Sequence, residues 1–413
     1  MTQKTLTVGI LTTQSLTLYL PLLQSLPYYQ IAIIYDVSSK SAIWPKDNTT
    51  NASEKTTTSI PQASTPEAVV NHSSVDLVLN FMATSLREKY TLAALSANKH
   101  VLVESPVSVS LPSAHRIIDA QRKSRGRVFV ASARRYVPCF ETFKAEVAGL
   151  ERIYYARCRN IQGGVTHPTP DANAELRPEP NTATTASSTL AAPTTTTLTT
   201  NDIVPAFPME ATNTFHSLLQ EAFLGQDLTT ERILLSRLLT GPRGCPDLSV
   251  MRETLGTPDA VSNIAVNEPF YSAIFHYSGH DPEDPSTSDN APTQNRTAYM
   301  LTYEYGTDAV PRCDAHLAVY GDGKTVTLEY DGATVRVVIE AADETAPGKV
   351  SRQETSSSME QAYTAELEAL YKFLVEGREV KTTVMDSMED LRLFRKIFEQ
   401  YDRQCGTIRT PLG

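Results

Sequence analysis

The sequence predicts an α/β chain in two parts: an N-terminal doubly wound parallel sheet over residues 1–138, and a C-terminal α+β domain with a mostly antiparallel sheet over residues 139–413. Three observations carry that expectation. Residues 75–82 are an almost continuous apolar run, the composition of a strand covered on both faces. Leu86, Tyr90, Ala94 and Ala97 then fall on one helical stripe, Asn98 stands where a left-handed cap would end it, and residues 100–103 re-enter the sheet. Beyond residue 260, short strand-like segments follow one another with turn residues between them.

The other elements of the first domain can be taken in order. Residues 5–12 read as a strand, 16–25 as a helix and 31–36 as a second strand, the start of a mononucleotide-binding half. Residues 44–64, rich in Thr, Ser, Asn, Lys and Pro, form a polar excursion with Trp44 at its root. A short helix over 66–71 leads into the central run. After Pro106, Ser110 caps a helix over 111–124, residues 128–131 form another strand, and Arg134, Arg135 and Tyr136 close the domain. His115 has polar neighbours and reads as a solvated surface residue.

In the second domain a helix over 139–148 leads into a strand of alternating character over 152–158. Periodicity is then lost from 162 to 209. Residues 181–201 are Thr/Ala/Pro-rich and cannot bury enough apolar surface to offset their ordering entropy, so a flexible insertion is expected over about 165–209, with Phe207 and Phe215 flanking a possible lid. Helices follow over 214–224, 229–240 and 247–255, the last with Asp247 as its N-cap. Strands are expected over 260–267, 270–278, 298–305, 313–320, 324–330 and 333–340, with Gly-Asp-Gly at 321–323 as a hairpin turn and a polar loop over 279–296. Two helices end the chain, one striped by Met359, Tyr363, Leu367, Leu370 and Leu374, the other by Leu391, Phe394, Ile397 and Phe398.

Composition narrows the partners. The formal charge of −10 and the lack of a basic block disfavour nucleic acid and anionic membrane. No apolar run approaches the ~20 residues that span a bilayer, and no leader pattern is evident. Five scattered cysteines without a C-x-x-C pair suggest reduced thiols and a cytoplasmic chain, with no metal site. Asn48, Asn51, Asn71 and Asn295 match the glycosylation acceptor pattern but read as plain surface asparagines.

Residues 94–106 read Ala-Leu-Ser-Ala-Asn-Lys-His-Val-Leu-Val-Glu-Ser-Pro. This run, with Arg134-Arg135-Tyr136-Val137-Pro138 and the two terminal helices, resembles the Gfo/Idh/MocA oxidoreductases, and the degenerate motifs are similar to those of divergent, fungal-type members. The resemblance implies a Rossmann-like first domain and a homodimer through the sheet of the second. It also marks what has changed. The family's phosphate-loop glycines align with Thr12, Gln14 and Thr17, and its ribose-binding acid with Asp36, which by local sequence could equally be a turn aspartate. Its catalytic lysine falls on Ser105, between Glu104 and Pro106, and its histidine on Pro246, within Gly-Cys-Pro-Asp-Leu-Ser-Val-Met-Arg at 244–252.

A serine hydroxyl carries no charge and does not ionise near neutral pH, and proline has no titratable group. General acid–base catalysis typically contributes ~10²–10⁴-fold, so the joint loss points away from hydride transfer. The reading favoured by these residues is a cofactor-independent isomerase or cyclase, pericyclase-like, acting on a small apolar metabolite of specialised biosynthesis. The alternatives are an NAD(P)-dependent oxidoreductase with an altered loop and a non-catalytic ligand-sensing regulator. Candidate catalytic residues are Asp247, Arg243, His216, Tyr303 and Ser105; candidate substrate contacts are Tyr136, Phe215, Tyr271, Tyr305 and Phe207; Thr12, Gln14, Asp36, Glu104 and Pro106 mark the degenerate cofactor site.

Overall fold

The computed structural model describes residues 4–13, 19–36, 60–163, 208–224, 227–241, 243–278, 297–308, 310–343 and 348–408. Five parallel strands form the first sheet: β1 (Leu6–Thr12), β2 (Tyr29–Asp36), β3 (Leu77–Phe81), β4 (His100–Glu104) and β5 (Val128–Ala131), in the order β2-β1-β3-β4-β5. Helices α1 (Tyr19–Ser25), α2 (Pro66–Val70), α3 (Thr84–Ser96) and α4 (Leu111–Lys123) alternate with them. Every residue of β3 and of β5 is buried, which is why neither shows polar alternation. The chain leaves β1 toward β2 on one side and resumes with β3 on the other. The carboxyl ends of β1 and β3 therefore flank a topological switch point, the position at which open α/β sheets take their ligands.

Local chemistry sets the helix ends as expected. Asn98 adopts a φ of 56° after α3, and its side-chain oxygen accepts the Arg125 N–H at 3.1 Å. Ser110 caps α4 by accepting the Ser113 N–H at 3.3 Å. His115 is exposed.

A 3-10 turn (Ala133–Tyr136) and α5 (Pro138–Ala148) lead into β6 (Ile153–Gly163), then α6 (Pro208–Ala222), α7 (Thr230–Leu239) and α8 (Gly244–Leu255). Strands β7 (Ala260–Asn267), β8 (Phe270–Tyr277), β9 (Tyr299–Asp308), β10 (Arg312–Gly321), β11 (Lys324–Asp331), β12 (Thr334–Ala342) and β13 (Val350–Ser358) complete an eight-stranded sheet in the order β13-β12-β11-β10-β6-β9-β8-β7. Neighbours are antiparallel except β6 with β9. Gly321 pairs with Lys324 and Gly323 has a φ of 60°, so the Gly-Asp-Gly turn closes the β10–β11 hairpin. Along β8, Tyr271, Ala273, Phe275 and Tyr277 are buried and alternate with more exposed residues.

Three sequence expectations are corrected. β13 was not anticipated; its Val-Ser-Arg-Gln-Glu-Thr-Ser run is exposed at seven consecutive positions on an edge, so its pairing with β12 rests on backbone ladder bonds rather than on an apolar face. α6 begins at Pro208, not at 214. α8 begins at Gly244, which leaves Asp247 inside its first turn rather than at the N-cap. A Cβ at Gly244 would lie 2.2 Å from the Leu238 carbonyl oxygen, so the absence of a side chain is what lets α8 start hard against the end of α7.

The chain then returns to the first sheet. α9 (Met359–Tyr371) opens with a Ser358/Gln361 capping box, a π turn spans Lys372–Glu376, and α10 (Val384–Ile408) follows. Long-range hydrogen bonds tie this return: Tyr29 Oη donates to the Leu367 carbonyl at 2.7 Å, Tyr371 Oη to that of Lys4 at 2.9 Å, and Arg127 Nη1 to that of Phe373 at 2.6 Å, while the Val130 N–H donates to the Thr382 carbonyl at 3.1 Å. One continuous core runs through both sheets and the helices between them.

Candidate functional site

Two elements meet where the sheets face each other: the corner after β4 and the first turn of α8. Arg87, from α3, holds the corner from behind. Its Nε donates to the Met82 carbonyl at 3.1 Å, Nη1 to the carbonyls of Ser105 and Pro106 at 3.0 Å each, and Nη2 pairs with Glu104 at 2.8 Å. The side chain is 8 % exposed, so these bonds replace its lost hydration. Ser105, half-buried, hydrogen-bonds the fully buried thiol of Cys245. Burial pushes that thiol well above its usual range, so it stays protonated and unreactive near neutral pH.

Asp247 lies two residues further along the first turn of α8, buried, and is fixed from two sides. Arg134 Nη1 meets its Oδ1 at 2.6 Å and Asn160 Nδ2 donates to its Oδ2 at 2.7 Å; Gln162 Nε2 in turn donates to Asn160 Oδ1 at 2.9 Å. The Arg134 guanidinium lies 4.7 Å from the centroid of the Tyr330 ring. Asn160 stands in a row that strand register imposes on one face of the sheet, Tyr271–Tyr305–Asn160–Ala315–Tyr330. Tyr303, beside Cys158 in the next row, packs edge-on to Tyr271 with centroids 5.7 Å apart. The hydroxyls of Tyr271, Tyr303 and Tyr330 are buried without a hydrogen-bond partner, and burial pushes the pKa of all three phenols up, keeping them neutral.

Of the residues singled out from the sequence, this arrangement gathers Asp247, Tyr271, Tyr303 and Tyr305, with Ser105 joined to α8 through Cys245. Arg243 stands at the start of α8 and donates from Nη1 to Thr307 Oγ1 at 3.2 Å. His216 is exposed and Phe215 half-buried on α6, which packs against α3 and α4 and not against Asp247. Tyr136 is turned toward the segment that leads into α10, bonded to Thr382 at 2.8 Å with Lys381 over its ring. Phe207, Gln14, Thr17, Trp44 and the expected loops lie outside the described residues. The sequence reading missed Arg87, Arg134, Asn160, Gln162 and Tyr330 as members of the site; Asn160 and Gln162 did leave a signal, as amides at inward positions of an alternating strand.

Behind the cluster, Arg135 pairs with Glu253 and Asp386, Arg252 with Asp386 and Asp390 at 2.8 Å each, and Lys144 with Glu253 at 2.7 Å. Burial would push Glu253 up, but Arg135, Lys144 and Lys381 outweigh it and hold the carboxyl down at about 2. At Asp390 burial prevails over Arg252 and pushes it up to about 6. A cavity of about 430 Å³ lined by Leu111, Phe223, Leu391, Phe394 and Phe398 shares no residue with the Asp247 cluster. Among the described residues, no group of three His, Cys, Asp or Glu side chains could hold a metal, and no helix is long and apolar enough to cross a membrane.

Residues 9–132 match the family model described as the oxidoreductase family with an NAD-binding Rossmann fold, GFO_IDH_MocA. Over that stretch the chain is similar to the Gfo/Idh/MocA family. An inositol 2-dehydrogenase of Paracoccus denitrificans is 33 % identical over 111 residues, which cover 26 % of this chain and 33 % of that protein, so the matched stretch spans about a third of the relative. Among solved structures, an oxidoreductase from Thermotoga maritima aligns over 96 % of this chain and 97 % of its own at 15 % identity and a TM-score of 0.59. A biliverdin reductase from Synechocystis sp. PCC 6803, solved with biliverdin and NADP+, aligns over 96 % and 98 % at 13 % identity and a TM-score of 0.55. These two alignments show that the chain shares the fold of those proteins along nearly its whole length.

The family match overturns two expectations drawn from the sequence, a cofactor-independent isomerase or cyclase and the absence of a cofactor: the matched family is one of NAD-binding oxidoreductases, and the curated relative is a dehydrogenase. The structure supplies the physical reason the inference was too strong. Thr12 lies within β1, paired with Asp36, and is not among the positive-φ residues, so its β-carbon costs nothing at a position where the loss of glycine was taken as damage.

Proposed function

We propose that the chain is a nicotinamide-dependent oxidoreductase, binding its dinucleotide over the β1/β3 switch point and its substrate against the face that carries Asp247. The observation that carries this reading is the carboxyl edge of the first sheet. There Asp36, last residue of β2, stands in register with Thr12 at the end of β1, and Glu104 and Ser105 close β4. A carboxylate at the end of the second strand is the acceptor to which both hydroxyls of an adenosine ribose donate, and its charge disfavours a 2′-phosphate. The described residues thus fit NAD better than NADP.

The bound nicotinamide would supply or accept a hydride. The chain's own part is to position and to exclude water. Arg87 fixes the Glu104-Ser105-Pro106 corner, from which the Ser105 hydroxyl can donate one hydrogen bond to a substrate oxygen. The Asp247–Arg134 pair is charge-balanced, and the tyrosine hydroxyls around it offer neutral donors, a wall suited to an uncharged, oxygen-bearing small molecule rather than to an acid. The open face of the eight-stranded sheet, with Tyr154 and Tyr320 exposed, is the surface proposed for a homodimer; light scattering would read its mass directly.

The reading is tested by titrating NADH and NADPH while following nicotinamide emission. NADH binding, with NADPH weaker, is expected, and Asp36→Ala should lower NADH affinity about tenfold while narrowing the preference. An unchanged emission with either nucleotide at millimolar concentration rules the reading out.

A further inference from the structure

Glu366 is a fully buried carboxyl that the active-site description leaves unused. It is carried on α9, from the far end of the chain, yet it is bonded to the carboxyl edge of the first sheet. One oxygen accepts the N–H of Ser132, the residue after β5, and the other accepts the hydroxyl of Tyr19 at 2.7 Å. Tyr19 is itself wedged between Phe81, last residue of β3, and Tyr363, with ring centroids 4.6 and 4.7 Å away.

The charged and titratable groups around this carboxyl are Tyr19 from α1, Tyr29 from β2, Glu104 from β4, Tyr136 from the 3-10 turn and Tyr363 on α9 itself. All but Glu104 are phenols, and among the described residues no lysine or arginine acts on Glu366. Burial, reinforced by Glu104 and opposed by the Tyr19 and Ser132 hydrogen bonds, pushes the carboxyl up to about 7. An uncompensated carboxyl beside a second one, at the strand edge proposed for a dianionic dinucleotide, has a defined electrostatic consequence: added negative charge there disfavours its ionisation further.

We propose that Glu366, which ties Tyr19 and the end of β5 to α9, is a proton-coupled positioning residue of the nucleotide site: binding of NADH at the β1/β3 edge is accompanied by uptake of a proton onto Glu366. The inference rests on the nicotinamide-dependent reading above. A rise of about one pH unit in the carboxyl's midpoint on binding corresponds to uptake of roughly half a proton per NADH at pH 7.5, and to an affinity about fivefold weaker at pH 9 than at pH 7.

The experiment is calorimetric titration of the full chain with NADH in two buffers of different ionisation enthalpy, at pH 7.5 and 9. Wild type should take up protons at pH 7.5. Glu366→Gln, which keeps both hydrogen bonds, should bind NADH with neither uptake nor a pH-dependent affinity in this range. Tyr19→Phe, which removes a bond that favours the ionised carboxyl, should move the affinity midpoint to higher pH, a change that loss of packing alone would not produce; it also serves if the first variant does not fold. NADH binding without proton uptake, or uptake that persists in Glu366→Gln, overturns the proposal and leaves the oxidoreductase reading standing. No binding at either pH overturns both.

Discussion

The buried Glu366 carboxyl predicts a pH-dependent stability that can be measured without any ligand. Its midpoint rises from the ordinary 4.5 to about 7 on folding because burial penalises the charged form. The folded state therefore binds more protons than the unfolded one between those values. The stability associated with the neutral carboxyl is complete below the unfolded midpoint and is lost as pH rises through the folded one. At ~1.4 kcal/mol per unit the full loss is about 3 kcal/mol, most of which falls between pH 5 and pH 8. Glu366→Gln carries no such term. Urea unfolding of both proteins at pH 5, 6, 7 and 8 should show wild type losing about 2–3 kcal/mol relative to the variant, with the steepest change between pH 5 and 7. Parallel stability curves across that range would refute the assignment of the carboxyl as neutral when folded.

Three further perturbations address the site and the core. Asp247→Asn leaves Arg134 buried without its counter-charge and should cost about 3–5 kcal/mol in denaturant unfolding; a loss below 1 kcal/mol would mean the pair is hydrated. Tyr303→Phe removes a fully buried hydroxyl that has no partner, so the unliganded protein should keep or gain about 1 kcal/mol of stability while substrate affinity falls if that hydroxyl serves the ligand. Phe275→Ala, at a side chain with no exposure, should destabilise by about 3–5 kcal/mol, read as a lower melting temperature.

Much of the fold was legible because period and caps agreed. The apolar run of β3, the stripe on α3 and the left-handed Asn98 specify one βαβ unit without long-range information. β13 was invisible because an exposed edge strand held by backbone bonds has no side-chain period to read. Asp247 looked like an N-cap because its residue type suits one; only the contact of Gly244 with Leu238, set by the packing of α7 on α8, moves the helix start back. The site itself is mostly non-local. Arg134 reaches Asp247 across 113 residues and Asn160 does so across 87, distances at which no sequence pattern survives. Glu366 sat unnoticed in an amphipathic helix, as one acidic residue among several. The functional reading erred by counting substitutions without knowing their backbone: Thr12 replaces glycine at a place that asks for no positive φ.

The bonds from Leu367, Phe373, Tyr371 and Thr382 back to Tyr29, Arg127, Lys4 and Val130 make the N-terminal half a structure finished by residues synthesised more than two hundred positions after it. A nascent chain leaving the ribosome can assemble the parallel strands early, but their outer tyrosines and the ends of β1 and β5 stay wet until α9 emerges. The N-terminal half is therefore a poor fragment to express by itself, and a premature stop anywhere before residue 359 should send the whole product to the cell's degradation machinery rather than leave a folded half.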